Sequence, residues 1–163
     1  MLIIAEKLRL ISFSSLMEVY IEGNLEKAKE DFSYEPEVLG LRHAEEDFYH
    51  YLSACFFKTP GAKYAIWEEH SRYVSALRLE PYKDGLLISA LETAPDHRRK
   101  GYATLLLKEV LSTLNGKVYS HVSKTNIASL KTHEKCGFHR IEEHAVYLDG
   151  SVNSRACTLR ICL

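Results

Sequence analysis

At 163 residues with a formal net charge of −1, the chain can bury one sizeable core and carries no broad positive field, which argues against nucleic acid or an anionic membrane as partner. Charges of both signs are scattered among an ordinary share of apolar residues and no Pro/Gly/Ser-rich linker intervenes, so residues 1–163 read as one folded domain. Cys55, Cys136, Cys157 and Cys162 show neither a C-x-x-C pair nor zinc spacing, and the apolar start is cut short by Glu6 and Lys7, so a soluble, cytoplasmic protein with reduced thiols and no metal is expected.

The first strand falls near Leu2–Ile4 or around Leu8–Ile11. The spacing of Phe13, Leu16, Met17, Tyr20, Leu25 and Ala28 then follows helical period, with Ser12 or Ser14 as cap. Tyr34-Glu35-Pro36 breaks the pattern. A second helix is carried by Phe48, Tyr51, Leu52, Cys55 and Phe56 and ends before Thr59-Pro60-Gly61. From Lys63 the period changes to that of strands, Lys63–Glu68, Arg72–Glu80 and Leu86–Thr93, with hairpin chemistry at Pro81–Gly85. An amphipathic helix follows over Tyr102–Leu114, then a strand at Lys117–Val122, a helix at Asn126–Lys135, and two strands, Arg140–Leu148 and Ala156–Cys162, joined at Asp149-Gly150. This order implies an α/β fold with a mixed sheet of six to seven strands.

Chemistry concentrates in two places. Leu91–Ala103 reads as a strand ending in proline, a basic loop His97-Arg98-Arg99-Lys100, and Gly101 at the mouth of a helix. A helix N-terminus offers unpaired N–H groups and about half a positive charge, so a phosphate is attracted by both. Gly101 lets the backbone approach it without a Cβ, and Ala103 is small for the same reason. The loop lacks both G-x-x-x-x-G-K-S/T and G-x-G-x-x-G, so it is neither a nucleotide-hydrolase loop nor a dinucleotide fingerprint. Downstream, Asn126, Ser129, Leu130 and His133 recur on one helical face.

Arg98-Arg99-Lys100-Gly101-Tyr102-Ala103 matches R/Q-x-x-G-x-G/A, and Asn126, Ser129, His133, Glu134, Lys135, Gly137 and Phe138 match N-x-x-A/S-x-x-x-Y/H-E-K-x-G-F. With both motifs about 30 residues apart, the chain from Lys63 onward resembles the GCN5-related N-acetyltransferase (GNAT) superfamily. The resemblance implies helices flanking a central sheet splayed between its fourth and fifth strands. It implies acetyl-coenzyme A as cosubstrate, held along Leu91, Glu92 and Thr93, by Arg98, Arg99, Lys100, Gly101, Tyr102, Ala103 and Thr104, and by Asn126, Ser129 and His133. It also implies direct attack by a primary amine on the thioester, with a small-molecule or peptide amine as acceptor.

That chemistry needs a sink for the amine proton and help for the leaving sulfur. His121 is the first candidate base, since an imidazole near pKa 6.5 suits the task, and Glu92 is the second. His133 stands where many relatives carry a tyrosine and is expected to donate a neutral N–H to the sulfur. A non-catalytic acyl-coenzyme A sensor is the alternative reading. His43, Glu46, Asp47 and His50 share a helical face best explained as a charged surface, and His139 and His144 fall on alternate faces of one strand. Tyr49, Tyr51, Phe56, Phe57, Tyr64 and Trp67 supply core or acceptor-pocket wall. Sheet edges near the C-terminus leave room for a homodimer.

Overall fold

The computed structural model describes residues 1–163. The chain opens with strand β1 (Leu2–Ala5), so the first of the two strand positions holds, and Leu8–Leu10 is instead a single 3-10 turn. Helices α1 (Phe13–Val19) and α2 (Ile21–Asp31) replace the one helix expected there. Their junction is Tyr20, at φ −97° and ψ 14°, whose hydroxyl donates to the Ala90 carbonyl at 2.7 Å. Ser12 caps α1, its oxygen accepting from the Ser15 N–H at 3.4 Å.

Helix α3 (Glu37–Ala54) begins directly after Pro36, well before the expected start near Phe48. The stretch between the Tyr34-Glu35-Pro36 break and Phe48 is therefore helix. Its buried positions are Gly40, Ala44 and Leu52, so the stripe facing α2 is too small-chained to show as hydrophobic periodicity. A Cβ on Gly40 would stand 3.4 Å from that of Phe32 and 3.5 Å from that of Ala28, so close helix contact accounts for the small residues.

Strands β2 (Lys63–Glu69), β3 (Arg72–Tyr82) and β4 (Gly85–Thr93) form the expected antiparallel meander. Helix α4 (Tyr102–Ser112), strand β5 (Lys117–Ser123) and helix α5 (Ile127–Lys135) follow. The single strand expected over Arg140–Leu148 is two: β6 (His139–Glu142), and β7 (Ala145–Val146), which makes a small separate hairpin with β8 (Val152–Asn153). His144 lies between them and belongs to neither. Strand β9 (Ala156–Cys162) returns between β5 and β6, giving the seven-stranded order β1-β2-β3-β4-β5-β9-β6.

The pairing of β4 with β5 is parallel and short, running only from Gly85–Lys117 to Ile88–Ser120. Beyond it the strands part. Register with β3 slips between Ala76 and Arg78, and Ala90 sits at φ 50° on the opposite strand, the signature of a bulge that bends β4 away from β5. Two apolar clusters cover the two sheet faces. Leu16, Val19, Tyr20, Leu52, Phe56, Tyr64 and Ile66 lie under α1–α3; Leu77, Leu106, Leu107, Val110, Val118, Val122 and Phe138 lie under α4 and α5. No helix is long and apolar enough to cross a membrane.

Candidate functional site

Where β4 and β5 part, two neighbouring cavities form. The larger, about 590 Å³, runs from Leu91, Glu92 and Thr93 past Arg98, Arg99, Gly101, Tyr102, Ala103 and Thr104 to Asn126 and Ser129. The smaller, about 140 Å³, lies in the split itself, between Ser89–Leu91 on one side and Ser120–Ser123 on the other, with His133 against it. Leu91, Asn126 and Ser129 line both, so the two adjoin along a shared wall and together form the channel beside the split.

The α4 end of the channel has the geometry of an anion site. Gly101 is the N-cap at φ 86°, a left-handed conformation that a Cβ disfavours, and open space surrounds the position a Cβ would take. Leu105 N–H is the first helical donor to find a carbonyl, that of Gly101. The N–H groups of Tyr102, Ala103 and Thr104 precede it at the channel wall, as unpaired helix-end donors do. Arg99, at φ 61°, winds the loop into this cap.

Two of the basic residues are placed differently from expectation. Arg98 lines the channel, but its Nη1 lies 2.5 Å from Glu22, its Nη2 3.6 Å from Glu92, and its Nε donates to the Thr93 carbonyl at 3.2 Å. It is a clamp between α2, β4 and the loop rather than a free cation. Lys100 is exposed and outside the channel wall. Lys135, with Thr132 and Ala128, lines it instead. The spacing Ala128, Thr132, Lys135 is helical, so the face of α5 was legible; which neighbouring face also turns inward was not.

The second motif is one doubly capped helix. Asn126 is the N-cap rather than the first helical residue, its oxygen accepting from Ser129 N–H at 3.0 Å. At the other end Phe138 N–H donates to His133 C=O at 3.1 Å and Gly137 N–H to Glu134 C=O at 2.9 Å, with Gly137 at φ 93°. That is a Schellman cap, and its usual apolar contact is here the Phe138 ring against the His133 ring, 5.1 Å apart and nearly edge-on.

This cap fixes the histidine. His133 is 1% exposed, and its Nδ1 lies 2.8 Å from the Ser129 carbonyl, which can only accept, so Nδ1 carries the proton. Burial holds its pKa below the ordinary histidine value. In this neutral tautomer the buried, unpartnered Nε2 is a lone pair. The expected neutral N–H toward sulfur is therefore spent on the helix backbone, and Nε2 donates only after it has gained a proton.

His121 stands on β5 at the first position past the paired segment. Its ring meets Tyr82 at 5.3 Å and Tyr147 at 5.4 Å, both edge-on, and Nε2 has no protein partner. Burial first, and Lys83 second, lower its pKa, so it is neutral at physiological pH and able to accept a proton. Glu92 pairs in register with Ala76, on the face under α1–α3, away from α4. Desolvation raises its carboxyl pKa against the opposing effect of Arg98. Its backbone carbonyl already accepts from the Ser75 hydroxyl at 2.7 Å.

Of the aromatic group, Phe56 and Tyr64 are buried in the core under α1–α3, whereas Tyr49 and Tyr51 are exposed and Trp67 packs toward the other core. His43 lies 3.0 Å from a Glu35 carboxylate oxygen and 3.5 Å from one of Glu46, and no His, Cys, Asp or Glu residues gather as a metal-ligating group.

A split mixed sheet with a phosphate-ready helix N-terminus beside the split defines a class, and residues 25–138 match the model of the acetyltransferase (GNAT) family. The chain belongs to that family. Among solved structures, the fold is similar to the IAA acetyltransferase from Bacillus cereus (TM-score 0.62, 14% identity, 100% of both chains). It is also similar to a ribosomal-protein alanine N-acetyltransferase from Escherichia coli (0.61, 14%, 99% of this chain and 93% of that one). A GNAT acetyltransferase from Elizabethkingia anophelis with acetyl-CoA bound shares the fold at TM-score 0.54 and 14% identity, over 66% of this chain and 79% of that one. No curated protein matches the chain by sequence.

Proposed function

We propose that the chain, acting as one domain, transfers the acetyl group of acetyl-coenzyme A to a primary amine by direct attack. The observation that carries this reading is the pair of adjoining cavities that lead from the α4 N-terminus to the β4–β5 split. The N–H groups of Tyr102, Ala103 and Thr104, with Arg99 and Lys135, receive the pyrophosphate; Leu91, Asn126 and Ser129 line the path of the pantetheine arm. The thioester then lies in the split beside His121 and His133.

In this scheme a neutral amine enters from the face under α1–α3 and forms the C–N bond, the C–S bond breaks, and coenzyme A leaves as a thiolate that solvent protonates. His121 takes the amine proton, because its lone pair is free at neutral pH and it lies at the split; Glu92, tied to Arg98, is the weaker candidate. His133 orients through its bond to Ser129 and lends the sulfur no proton while neutral. The acceptor is a small-molecule or peptide amine, and the protein works in the cytoplasm.

The test is release of free thiol from acetyl-coenzyme A in the presence of a panel of amines, beside calorimetry with coenzyme A. Amine-dependent release is expected. Tight binding with no release for any amine would favour a cofactor sensor, the reading to which the tautomer of His133 lends support.

A further inference from the structure

One row of side chains crosses the sheet on the face under α1–α3. Tyr64 on β2 pairs in register with Arg78 on β3, and Arg78 with Ser89 on β4. Directly opposed residues on adjacent strands project to the same side. The next position across, one past the pair Ile88–Ser120, is His121. The row therefore ends on the residue at the split, and Ser89 and His121 both line the smaller cavity.

Arg78 is the anomaly in this row. It is half-buried, and its Nε is shut off from solvent with no hydrogen-bond partner. The arginines held in ion pairs are Arg42, Arg72, Arg98 and Arg140; Arg78 is not among them. Its guanidinium lies over the rings of Tyr51, at 5.0 Å, and Phe56, at 5.8 Å. Stacking on aromatic rings engages the faces of the guanidinium and leaves the in-plane N–H fork unspent. The hydroxyl of Tyr64, its register partner, is likewise buried and makes no close hydrogen bond, with the Tyr20 hydroxyl near it. Glu80, the acidic residue two positions along the same face, is engaged by the Ser89 hydroxyl at 3.4 Å and makes no ion pair with Arg78.

A half-buried guanidinium whose Nε is shut off from water has lost part of its hydration with no partner in return. A fork of donors held rigid by two rings, beside a second unspent hydroxyl, matches one ligand chemistry best, the planar carboxylate. Adjacent strands are about 4.8 Å apart, so two strand steps put the Arg78 backbone at least roughly 10 Å across the sheet from that of His121, the parting of β4 and β5 adding to a span that the long Arg78 side chain and a small acceptor bound at the split bridge together. Building on the acetyltransferase reading above, we propose that Arg78 and Tyr64 form a carboxylate subsite and that the acceptor is an amine bearing a carboxylate, as in an amino acid or short peptide.

Two measurements test the subsite. In turnover, amino acids are assayed beside the amines that their decarboxylation would give. The wild type is expected to favour the carboxylated member of a pair by about tenfold or more in kcat/KM, the scale of a charge-assisted hydrogen-bond pair. Arg78→Met, which keeps an unbranched apolar stem against Tyr51 and Phe56, removes that preference and leaves coenzyme A affinity unchanged. Arg78→Lys keeps part of it. Equal kcat/KM for both members of every pair, or a loss in Arg78→Met that falls equally on both, would overturn the proposal.

In binding, N-acetylamino acids and their carboxamides are titrated into the coenzyme A-loaded protein. The acids are expected to bind more tightly than the carboxamides, and Arg78→Met to abolish the difference; indifference of the protein to that exchange overturns the subsite. Peptides with a free and an amidated C-terminus form a further arm that separates a peptide acceptor from a free amino acid. Because the binding arm needs no turnover, a protein that binds the acids through Arg78 but acetylates nothing contradicts the transferase reading and leaves the subsite standing.

Discussion

Gly101 carries two demands at once. Its φ of 86° costs any L-residue with a Cβ roughly 1–2 kcal/mol, and the open space above it is where an anion meets the α4 amides. Gly101→Ala is expected to weaken acetyl-coenzyme A binding by more than the loss in fold stability accounts for, as calorimetry beside urea unfolding will show. His121 makes a kinetic prediction. With the His121 pKa held below the ordinary 6.5 by burial and Lys83, kcat/KM should rise with pH as the acceptor amine loses its proton, and should gain a second, steeper acid limb once pH falls below the His121 value. His121→Ala should lower kcat/KM by about 100-fold and abolish that acid limb. A variant that keeps the limb would assign the base elsewhere.

At the scale of elements, α5 shows why a sequence motif and a structural device coincide. Asn126 begins the helix, Gly137 and Phe138 end it, and Phe138 presses on His133, so the signature specifies the length of the helix and the posture of its histidine. Asn126→Ala should cost about 1 kcal/mol in urea unfolding, the usual price of a lost cap. Gly85 governs the paired end of β4 and β5, ahead of the split. A Cβ there would stand 2.0 Å from the Lys117 carbonyl oxygen, so the short parallel pairing of β4 and β5 depends on its absence. Gly85→Ala is expected to destabilise the chain by at least about 2 kcal/mol, the scale of overpacking a close contact.

The strands and the two helices of the channel were legible because strand period, turn residues and capping residues agree locally over Lys63–Lys135. The α2–α3 contact was not, since Gly40, Ala28 and Ala44 pack closely without a large apolar stripe to betray it. Nor was the division of the basic loop, because which of Arg98, Arg99 and Lys100 is free depends on Glu22, far off in sequence on α2. The tautomer of His133 likewise follows from a backbone carbonyl one turn away and has no side-chain pattern of its own.

Over the whole molecule, the buried His133 and the half-buried His121 couple stability to pH. A histidine whose folded pKa lies below its unfolded value binds fewer protons in the folded chain; its contribution is intact above the unfolded value and is lost as pH falls through it. His133 and His121 both have this sign, so stability should decline as pH drops below about 6.5. Urea midpoints compared at about pH 7.5 and pH 5.5 should fall less for His133→Gln than for the wild type. An equal fall in both would show that His133 is not kept neutral by the fold.

The central claim is that one channel takes the pyrophosphate at the α4 N-terminus and delivers the thioester to the β4–β5 split. The most direct measurement is calorimetric titration with coenzyme A against pantetheine, which lacks the pyrophosphate. Several helix-end contacts at about 0.3–1 kcal/mol each predict that coenzyme A binds at least about tenfold more tightly, and that Gly101→Ala narrows the gap. Equal affinities for the two would contradict the account.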